Sequence, residues 1–335
     1  MKTYKVVLCD HEERYVTALM NYMNRMSKLP VVSMAFTDVD EMIMYLKEHK
    51  VDLIITERMP DSIKNTVNQA TKILYIYASQ ESMQEGSTGI FKYSPASEYV
   101  RSMLQVLSEE EQVVQSGVYG RCIAVYSPHG RCGKTMLAKG LSDYYCRQSM
   151  QKSASIYLGM EEYGCRMGDE HAMEELLYYI KQRAGNISMK TKALATKQYG
   201  YDLIAGYGSY EELRELTCSD IKWFLEAVRQ EGLYERVIAD IGSGSLSDLN
   251  ILQYFDVVYI PRLQESDSEQ KWRTFCVTLH NKELGEEVWN RWYPVYIEKN
   301  GISYQEIEKL ELEREQGELR TMSMELQAVH ESYGA

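Results

Sequence analysis

The segment Cys122–Leu141, CIAVYSPHGRCGKTMLAKGL, constrains the fold of this chain more than any other feature of the sequence. An apolar run ends at Tyr126, a glycine-containing loop follows, and Gly133, Lys134 and Thr135 open an apolar-periodic helix. A buried strand that passes through such a loop into a helix begins a parallel β–α–β unit. The segment therefore predicts an α/β domain built on a mostly parallel sheet.

The same loop has the residues of a phosphate-binding site. Successive backbone N–H groups and the N-terminus of the helix form a nest for phosphate oxygens. In such loops the lysine ammonium, here Lys134, reaches the β- and γ-phosphates, and the hydroxyl of Thr135 ligates Mg²⁺. We predict that the protein binds ATP with Mg²⁺. The predicted nucleotide-binding residues of this segment are Gly130, Arg131, Cys132, Gly133, Lys134, Thr135 and Met136.

A second acidic motif lies well downstream of the loop. The run Val237–Gly242, VIADIG, is an apolar strand that ends in an aspartate followed by a glycine. This pattern is typical of a Walker B strand, in which the aspartate binds Mg²⁺ through water. The alternative is an aspartate that only caps the next turn. The position after the loop favours the metal role, so we predict that Asp240 joins Thr135 in binding the metal.

Short β-rich runs alternate with helix-length segments along the whole chain, which is the pattern of parallel sheets with crossover helices. In the first third, strands are predicted at Tyr4–Cys9, Val31–Phe36, Asp52–Thr56, Ile73–Tyr77 and Gly89–Lys92. Farther along, strands are predicted at Cys122–Tyr126, Ser155–Leu158, Tyr201–Ala205, Arg236–Asp240, Asp256–Ile260 and Tyr293–Glu298. Helices are predicted at Pro95–Leu107, Met136–Arg147, Met173–Arg183, Ser219–Gln230 and Ser266–Asn281, with an acidic helical tail from Tyr304 to His330.

The pattern breaks once, in the segment Ser108–Gly120, where periodicity is lost and charge rises. We place the domain boundary there. The prediction is a first domain of residues 1–112, a linker of residues 113–120 and a second domain of residues 121–335. A chain of 335 residues with 44 % apolar residues is long and apolar enough to give each domain its own core.

Charge and cysteine usage exclude several classes of protein. The net charge of −12 argues against a nucleic-acid partner, since proteins that wrap nucleic acid usually carry a basic face. The seven cysteines are scattered and form no C-x-x-C pair, as in proteins of a reducing cytosol without disulfides or structural zinc. No apolar run reaches the roughly 18 residues of a membrane helix, and the tail is too acidic for an amphipathic anchor. We expect a cytoplasmic protein with no direct membrane anchor.

The first third of the chain resembles a response-regulator receiver domain. The run Cys9–Glu12 stands where the first receiver strand ends in a magnesium-binding acidic pair. The run Val51–Pro60 resembles the strand that carries the phosphoacceptor aspartate, followed by Met-Pro. Lys92 matches the lysine of the fifth strand, and Ser79 matches the switch hydroxyl. The resemblance implies a doubly wound (βα)5 domain.

The chemistry of a receiver is missing from this domain. The acceptor position holds Thr56 or Glu57, and His11 replaces one member of the acidic pair. Aspartyl phosphate formation requires the aspartate itself. We therefore expect an inert receiver that is kept for contacts with partners.

The loop of the second domain departs from G-x-x-x-x-G-K-[ST] and is more similar to the deviant loop of the ParA/MinD class, K-G-G-x-G-K-T. The matching heptad is His129–Thr135. In that class the first lysine reaches across a dimer to the partner's phosphates, and here that position is His129. Arg131 replaces a glycine of the motif and adds a cation, which either takes over part of the charge compensation or lies in solvent.

The acidic pair of that class is also absent. The strand after the P-loop helix usually ends in Asp-x-Asp, whose carboxylates position the attacking water. The corresponding run, Ser155–Gly164, has Leu158 and Met160 at the two acid positions, and Glu161 or Glu162 reaches them only with a shift of register. The sequence predicts ATP binding with weak or absent hydrolysis.

A degenerate receiver followed by a ParA/MinD-like P-loop domain resembles the TadZ/CpaE proteins of tight-adherence (Flp-type) pilus systems. The resemblance extends to Met173–Leu216 and to Asp256–Pro261, and it implies that Pro261 lies near the adenine. It further implies an ATP-bound homodimer that acts as a scaffold for pilus secretion proteins at the cell pole or the inner-membrane periphery.

Two other functions remain open from the sequence. One is a cycling ATPase of the MinD or ParA kind, in which turnover drives release from a surface. The other is a phosphorelay output regulator, which requires an acceptor aspartate that the sequence does not contain. Loss of the Asp-x-Asp acids and of the signature lysine favours the scaffold.

Overall fold

A computed structural model describes most of the chain. The described residues are 3–25, 31–59, 71–78, 89–108, 120–149, 155–160, 169, 171–183, 186–198, 200–204, 210–231, 233–264, 266–282, 284–298 and 301–333. The chain forms two compact units, the first comprising Met1–Ser116 and Ala184–Ala193 and the second Gly117–Arg183 and Leu194–Ala335. The predicted linker at 113–120 lies outside the described residues except for Gly120.

The first unit contains a five-stranded parallel sheet with the strand order β2–β1–β3–β4–β5. Its strands are β1 (Tyr4–Cys9), β2 (Val31–Phe36), β3 (Leu53–Thr56), β4 (Lys72–Tyr77) and β5 (Gly89–Phe91). Three helices described between these strands and after them are α1 (Glu13–Asn24), α2 (Val39–Glu48) and α3 (Ala96–Leu107). In this doubly wound order the topological switch point lies between β1 and β3.

The core of this unit follows from nearly continuous apolar strands. Val6, Val7 and Leu8 in β1 are each 1 % exposed, as expected for a strand that has helices on both faces. On one face, Val7 and Ile54 pack with Met42 of α2 in a common cluster. This packing fixes the ends of β1 and β3 side by side, so that Cys9, the residue before Asp10, pairs with Thr56.

The second unit contains a seven-stranded sheet with the order β12–β11–β6–β10–β7–β9–β8. Its strands are β6 (Arg121–Tyr126), β7 (Ser155–Met160), β8 (Thr196–Gln198), β9 (Tyr201–Ile204), β10 (Arg236–Ile241), β11 (Val257–Arg262) and β12 (Trp292–Tyr296). All neighbours are parallel except β8 and β9, which are antiparallel. The prediction of an α/β fold with a mostly parallel sheet is confirmed.

The later helices cover this sheet or lie between its strands in the chain. They are α4 (Lys134–Gln148), α5 (Ala172–Gln182), α6 (Ile187–Leu194), α7 (Tyr210–Arg214), α8 (Cys218–Glu231), α9 (Ser266–His280), α10 (Glu286–Trp289), α11 (Tyr304–Gln316) and α12 (Met322–Tyr333). Nearly all of α6 belongs to the first unit. No helix among the described ranges is both long and apolar enough to cross a bilayer.

Helix α4 is the central helix of the second unit. Leu137, Ala138 and Leu141 of α4 are fully buried in one cluster with Val125 of β6 and Ile238 of β10. The cluster holds α4 over the two central strands. The loop between β6 and α4 is thereby fixed at the carboxyl edge of the sheet.

Close approach of α11 to α4 depends on a glycine. A Cβ atom at Gly140 of α4 would lie 2.2 Å from Cδ1 of Ile307 in α11. Helix α11 begins at a capping box, in which the Ser303 hydroxyl accepts from the Glu306 N–H and the Glu306 carboxylate accepts from the Ser303 N–H. It ends at Gly317, which adopts a φ of 74°. The predicted tail is therefore two helices, because Gly317 supplies a left-handed C-terminal cap.

A buried carboxylate joins α11 to the rest of the unit. Glu311 is 1 % exposed and accepts hydrogen bonds from the hydroxyls of Tyr145 in α4 and Tyr259 in β11. Arg314 donates to the same carboxylate at 2.7 Å. Burial, followed by the charge of Glu311, raises the pKa of both phenols, so they remain hydrogen-bond donors at physiological pH. The network fixes one face of α11 against α4 and β11.

The structure extends and corrects several predicted boundaries. Strand β7 continues to Met160 rather than ending at Leu158, β11 continues to Arg262, and β12 ends at Tyr296 rather than Glu298. Other predicted boundaries differ by one or two residues, as is common at the ends of elements. Sequence analysis missed β8, α6, α7, α10 and a 3₁₀ helix at Leu249–Tyr254. Each is at most eight residues long, too short for a distinct hydrophobic period.

We predict that Glu311→Ala lowers the free energy of unfolding of the second unit by about 3–5 kcal/mol. It leaves the buried hydroxyls of Tyr145 and Tyr259 without this acceptor and leaves Arg314 with only the exposed carboxylate of Glu315. The matched control is Glu308→Ala, an exposed position of the same helix, with an expected change within about 0.5 kcal/mol. All four tryptophans lie in the second unit, so fluorescence during urea unfolding of the full chain reports on it. Equal midpoints for the two variants would contradict the role of Glu311.

Candidate functional site

The loop between β6 and α4 presents an uncapped helix N-terminus. The N-cap of α4 is Gly133, at a φ of 85°, and no side chain caps the helix or places an acid in its first turn. Arg131 also adopts a left-handed backbone, at a φ of 61°. The first N–H groups of a helix have no partners within it, and left-handed residues that alternate with other conformations, as Arg131 and Gly133 do around Cys132, turn successive N–H groups toward one concave side. The loop therefore has the backbone of an anion site.

The side chains of this loop divide into buried and exposed sets. His129, Cys132 and Lys134 are between 1 % and 5 % exposed. The ammonium of Lys134 and the thiol of Cys132 each donate to the carbonyl oxygen of His129 at 3.3 Å. Gly130 and Arg131 are exposed, and a Cβ atom at Gly130 would meet nothing within 4 Å. The open side of the loop is thus lined by backbone and by one exposed guanidinium.

Asp240 lies at the same edge of the sheet as the loop. It is fully buried near the carboxyl end of β10, where the parallel register pairs it with Val125 of β6 and Gly159 of β7. The hydroxyl of Tyr157 in β7 donates to Oδ2 of Asp240 at 2.8 Å. Because β6 and β10 are neighbours, the fold places the predicted metal residues, Thr135 in the first turn of α4 and Asp240 near the end of β10, at the same edge of the sheet.

A cavity of about 540 Å³ adjoins the loop. Its wall is formed by residues 263–264 after β11, by residues 295–298 and 301–302, and by the face of α11 that carries Glu306, Lys309, Leu310 and Glu313. A Cβ atom at Gly301 would lie 2.1 Å from Cε of Met136, and one at Gly133 would lie 3.2 Å from Cγ2 of Ile297. The cavity wall therefore contacts the first residues of α4 directly.

Pro261, the residue predicted to lie near a base, is buried in β11 just before the cavity. It does not line the cavity itself, which starts two residues later at Leu263. Sequence analysis missed α11 as a wall, since its acidic composition indicated a solvent-exposed tail. The one local signal was the Ser303–Glu306 capping pair, which marks a helix start just after Gly301.

The two positions that hold acids in the ParA/MinD class are apolar and buried here. Leu158 is 1 % exposed and Met160 is 6 % exposed, both within β7. Glu161 and Glu162, the residues considered for these positions after a shift of register, lie outside the described part of the chain.

A second cluster of charges lies in the first unit, at the switch point of its sheet. The Asp10 carboxylate is buried, its Oδ1 accepts from the ammonium of Lys92 at 3.0 Å, and its Oδ2 lies 2.9 Å from the same ammonium. The same ammonium lies 2.9 Å from Oε1 of Glu12. Burial alone would lower the pKa of Lys92, but the hydrogen bonds that it donates to Asp10 and Glu12, together with the charges of these carboxylates, outweigh burial and raise that pKa.

Thr56 ends β3 opposite Cys9 of β1 and is buried. Its hydroxyl donates to the carbonyl oxygen of Arg58 at 3.1 Å. Thr56 has a hydroxyl and no carboxylate, whereas Glu57, the other residue considered for the acceptor position, is exposed and its Oε2 lies 3.7 Å from Nδ1 of His11. Ser79, which we matched to the switch hydroxyl, lies outside the described residues.

Comparison with known proteins gives only distant structural similarities. No protein-family model matches the sequence, and no curated protein matches it. A ParA family ATPase from Chlorobium tepidum TLS aligns with 57 % of this chain and 80 % of its own, at 14 % identity and a TM-score of 0.40. McdA from Cyanothece, in complex with ATP, aligns with 65 % of this chain and 98 % of its own, at 13 % identity and a TM-score of 0.35.

A cobyrinic acid a,c-diamide synthase from Mycobacterium smegmatis, with a bound ATP analog and magnesium, aligns with 58 % of this chain and 82 % of its own, at 13 % identity and a TM-score of 0.36. These TM-scores are all below 0.5, and we infer neither family nor function from them.

We predict that Lys92→Met destabilises the carboxyl edge of the first sheet by about 2 kcal/mol, a value between those of exposed and buried ion pairs. The pKa of Lys92 is raised in the folded state, so its stabilisation is fully present below about pH 10.4 and is lost only as pH rises through the folded pKa. The loss of protection should therefore be equal at pH 6 and pH 9. Hydrogen exchange of β1 and β5 peptides in the full chain, corrected for intrinsic rates, measures it.

The control is Lys47→Met, an exposed position of α2, which should leave exchange in β1 and β5 unchanged. Protection that is unaffected by Lys92→Met, or lost at only one of the two pH values, would contradict the role of the ion pair.

Proposed function

We propose that the second unit binds ATP with Mg²⁺. The observation that carries this proposal is the uncapped N-terminus of α4, which continues a loop with two left-handed residues and lies beside the buried carboxylate of Asp240. Phosphate oxygens match the N–H groups and the positive end of the helix dipole. In this assignment Gly130 to Met136 surround the phosphates.

Two oxygen-bearing side chains at this edge of the sheet are suited to bind Mg²⁺. Thr135 is the second residue of α4 and Asp240 is the last but one residue of β10. They supply a hydroxyl and a carboxylate, the hard oxygen ligands that Mg²⁺ prefers. When bound, Mg²⁺ bridges phosphate oxygens and neutralises their charge. Lys134, buried beneath the loop, adds a positive charge from the protein side.

The cavity beside the loop is suited to the nucleoside. Its volume of about 540 Å³ is within the range of small-molecule pockets. Apolar side chains of Leu263, Val295 and Ile302 offer stacking surface, and Glu306 and Lys309 offer polar groups. Pro261, which precedes this wall, would act through the backbone of β11 rather than by contact with the base.

We further propose that the protein is a nucleotide-gated scaffold similar to TadZ/CpaE, with residues 1–112 as an inert receiver, 113–120 as a linker and 121–335 as a ParA/MinD-like domain. Support for an inert receiver comes from Thr56 at the end of β3 and from Lys92, which already neutralises Asp10. In this proposal the ATP-bound form is a homodimer in the cytoplasm. It recruits pilus secretion proteins at the cell pole or the inner-membrane periphery.

A cycling ATPase of the MinD or ParA kind is the second candidate. Leu158 and Met160 are buried and apolar, so they offer no carboxylate to position an attacking water. His129 is 5 % exposed, which disfavours its reaching a partner's phosphates. Arg131, exposed at the tip of the loop, is the better placed cation of the two. These features favour the scaffold over the cycling enzyme.

We predict that Lys134→Ala weakens ATP binding tenfold or more, since an ammonium against phosphate makes charge-assisted contacts worth about 1.5–3 kcal/mol each. Isothermal titration calorimetry with Mg-ATP measures this on the full chain. Lys134→Met serves as a second variant that keeps the buried stem of the side chain. Lys222→Ala, at a half-exposed lysine of α8, is the control and should bind as the wild type does.

Equal affinity of the wild type and both Lys134 variants would overturn the nucleotide site.

We predict that ATP turnover is well below one per second, the low end of ordinary enzyme rates, and that dimerisation requires nucleotide binding alone. Hydrolysis depends on groups fixed around the water and the γ-phosphate, and loss of a cationic finger alone costs about 10³–10⁵ in rate in other P-loop enzymes. Phosphate release and light scattering after size exclusion, each with and without Mg-ATP, measure the two properties. Turnover of about one per second that disappears in Lys134→Ala would favour the cycling ATPase.

A further inference from the structure

A tyrosine of the neighbouring strand donates a hydrogen bond to the Asp240 carboxylate. Tyr157 of β7 is 5 % exposed, and its hydroxyl donates to Oδ2 of Asp240 at 2.8 Å. Asp240 itself is 0 % exposed. A hydrogen bond between a buried hydroxyl and a buried carboxylate is charge-assisted and geometrically restrictive.

The register of the sheet explains why this residue reaches the aspartate. Strands β7 and β10 pair Tyr157 with Ile238, two residues before Asp240. Side chains two residues apart share a face of a strand, so Tyr157, Ile238 and Asp240 all lie on one face. That face is the one covered by α4, because Tyr157 and Ile238 belong to the same buried cluster as Leu137.

The residue after Tyr157 shows why β7 places no acidic side chain beside Asp240. Leu158, at the first acid position of the ParA/MinD class, pairs with Ala239 and therefore lies on the opposite face from Asp240. The group that β7 directs toward Asp240 is instead the neutral phenol of Tyr157. A neutral donor orients a carboxylate and leaves its charge available to a cation, whereas a lysine there would neutralise it.

We propose that Tyr157 is a positioning residue for the magnesium-binding carboxylate of Asp240. Its hydroxyl holds Oδ2 and so restricts the rotation of the carboxylate, the group that would bind Mg²⁺ through water. The proposal rests on the proposed binding of Mg-ATP. It concerns only the part of the affinity that depends on Mg²⁺.

The test separates magnesium-dependent from magnesium-independent binding in the full chain. Titration calorimetry gives the affinity for ATP in Mg²⁺ and in EDTA, and the ratio of the two is the magnesium increment. We expect Tyr157→Phe to reduce this increment about tenfold, the effect of one hydrogen bond to a charged group, while the affinity in EDTA stays at the wild-type value. A purely structural role would lower both affinities together.

The chain offers a matched control. The hydroxyl of Tyr234 donates to Oδ2 of Asp202, also at 2.8 Å, and both residues are buried in the second unit away from the loop. Tyr234→Phe should lower the melting temperature as Tyr157→Phe does, because each leaves a buried carboxylate short of one donor. Tyr234→Phe should leave the magnesium increment unchanged.

A double variant keeps the proposal testable if Tyr157→Phe folds poorly. In Tyr157→Phe the buried charge of Asp240 loses a hydrogen-bond donor. The additional substitution Asp240→Asn removes that charge, so the double variant should fold better than Tyr157→Phe alone. We expect the double variant to have the same magnesium increment as Asp240→Asn alone, because the hydroxyl acts only through the carboxylate.

Three outcomes would overturn the assignment of Tyr157: an unchanged increment in Tyr157→Phe, an equal loss in Tyr234→Phe, or a further loss in the double variant. Absence of ATP binding to the wild type in either buffer is a different result. It would remove the proposed function itself.

Discussion

Parallel pairing of β10 with both β6 and β7 determines the geometry of the candidate site in the second unit. In this register Asp240 lies between Val125 and Gly159, so the loop after β6, the aspartate of β10 and the end of β7 meet at one edge. Parallel strands are joined by crossover helices, and α4 is the crossover that leaves this edge. Its N-terminus must therefore lie beside Asp240. The pairing of the strands accounts for this juxtaposition.

The carboxyl edges of the two sheets differ in how their charges are compensated. In the first unit the Lys92 ammonium is held between Asp10 and Glu12, so positive and negative groups compensate each other within the protein. In the second unit α4 starts with no side-chain cap and no acid in its first turn. An internally neutralised edge has little affinity left for a cation or a phosphoryl group, whereas an uncapped helix start attracts an anion. The two carboxyl edges therefore differ in the charge that they present, although both belong to sheets with parallel central strands.

Local sequence was enough to predict the strand, loop and helix from Cys122 to Leu141, because β propensity, glycine positions and helical periodicity agree there. It was also enough for the strand that ends at Asp240. The cavity wall formed by α11 was not predictable, because this helix has the composition of a solvent-exposed helix. Its Glu311 is buried against Tyr145 and Tyr259, residues that lie far away in the chain. The contact of Tyr157 with Asp240 depends on the register between two strands, which no local pattern specifies. Short elements such as β8 were missed for lack of a measurable period.

The backbone of Arg131 links the energetics of the loop to its chemistry. A residue with a Cβ atom at a φ of 61° costs roughly 1–2 kcal/mol relative to the right-handed region, and glycine would avoid that cost. The loop has glycines on both sides of Arg131. Gly130 has open space around it, and Gly133 has a left-handed backbone. The guanidinium at this position is exposed, while the imidazole of His129 and the ammonium of Lys134 are buried. The strained residue is thus the one that presents positive charge on the open side of the phosphate loop, where the proposed nucleotide has its greatest negative charge.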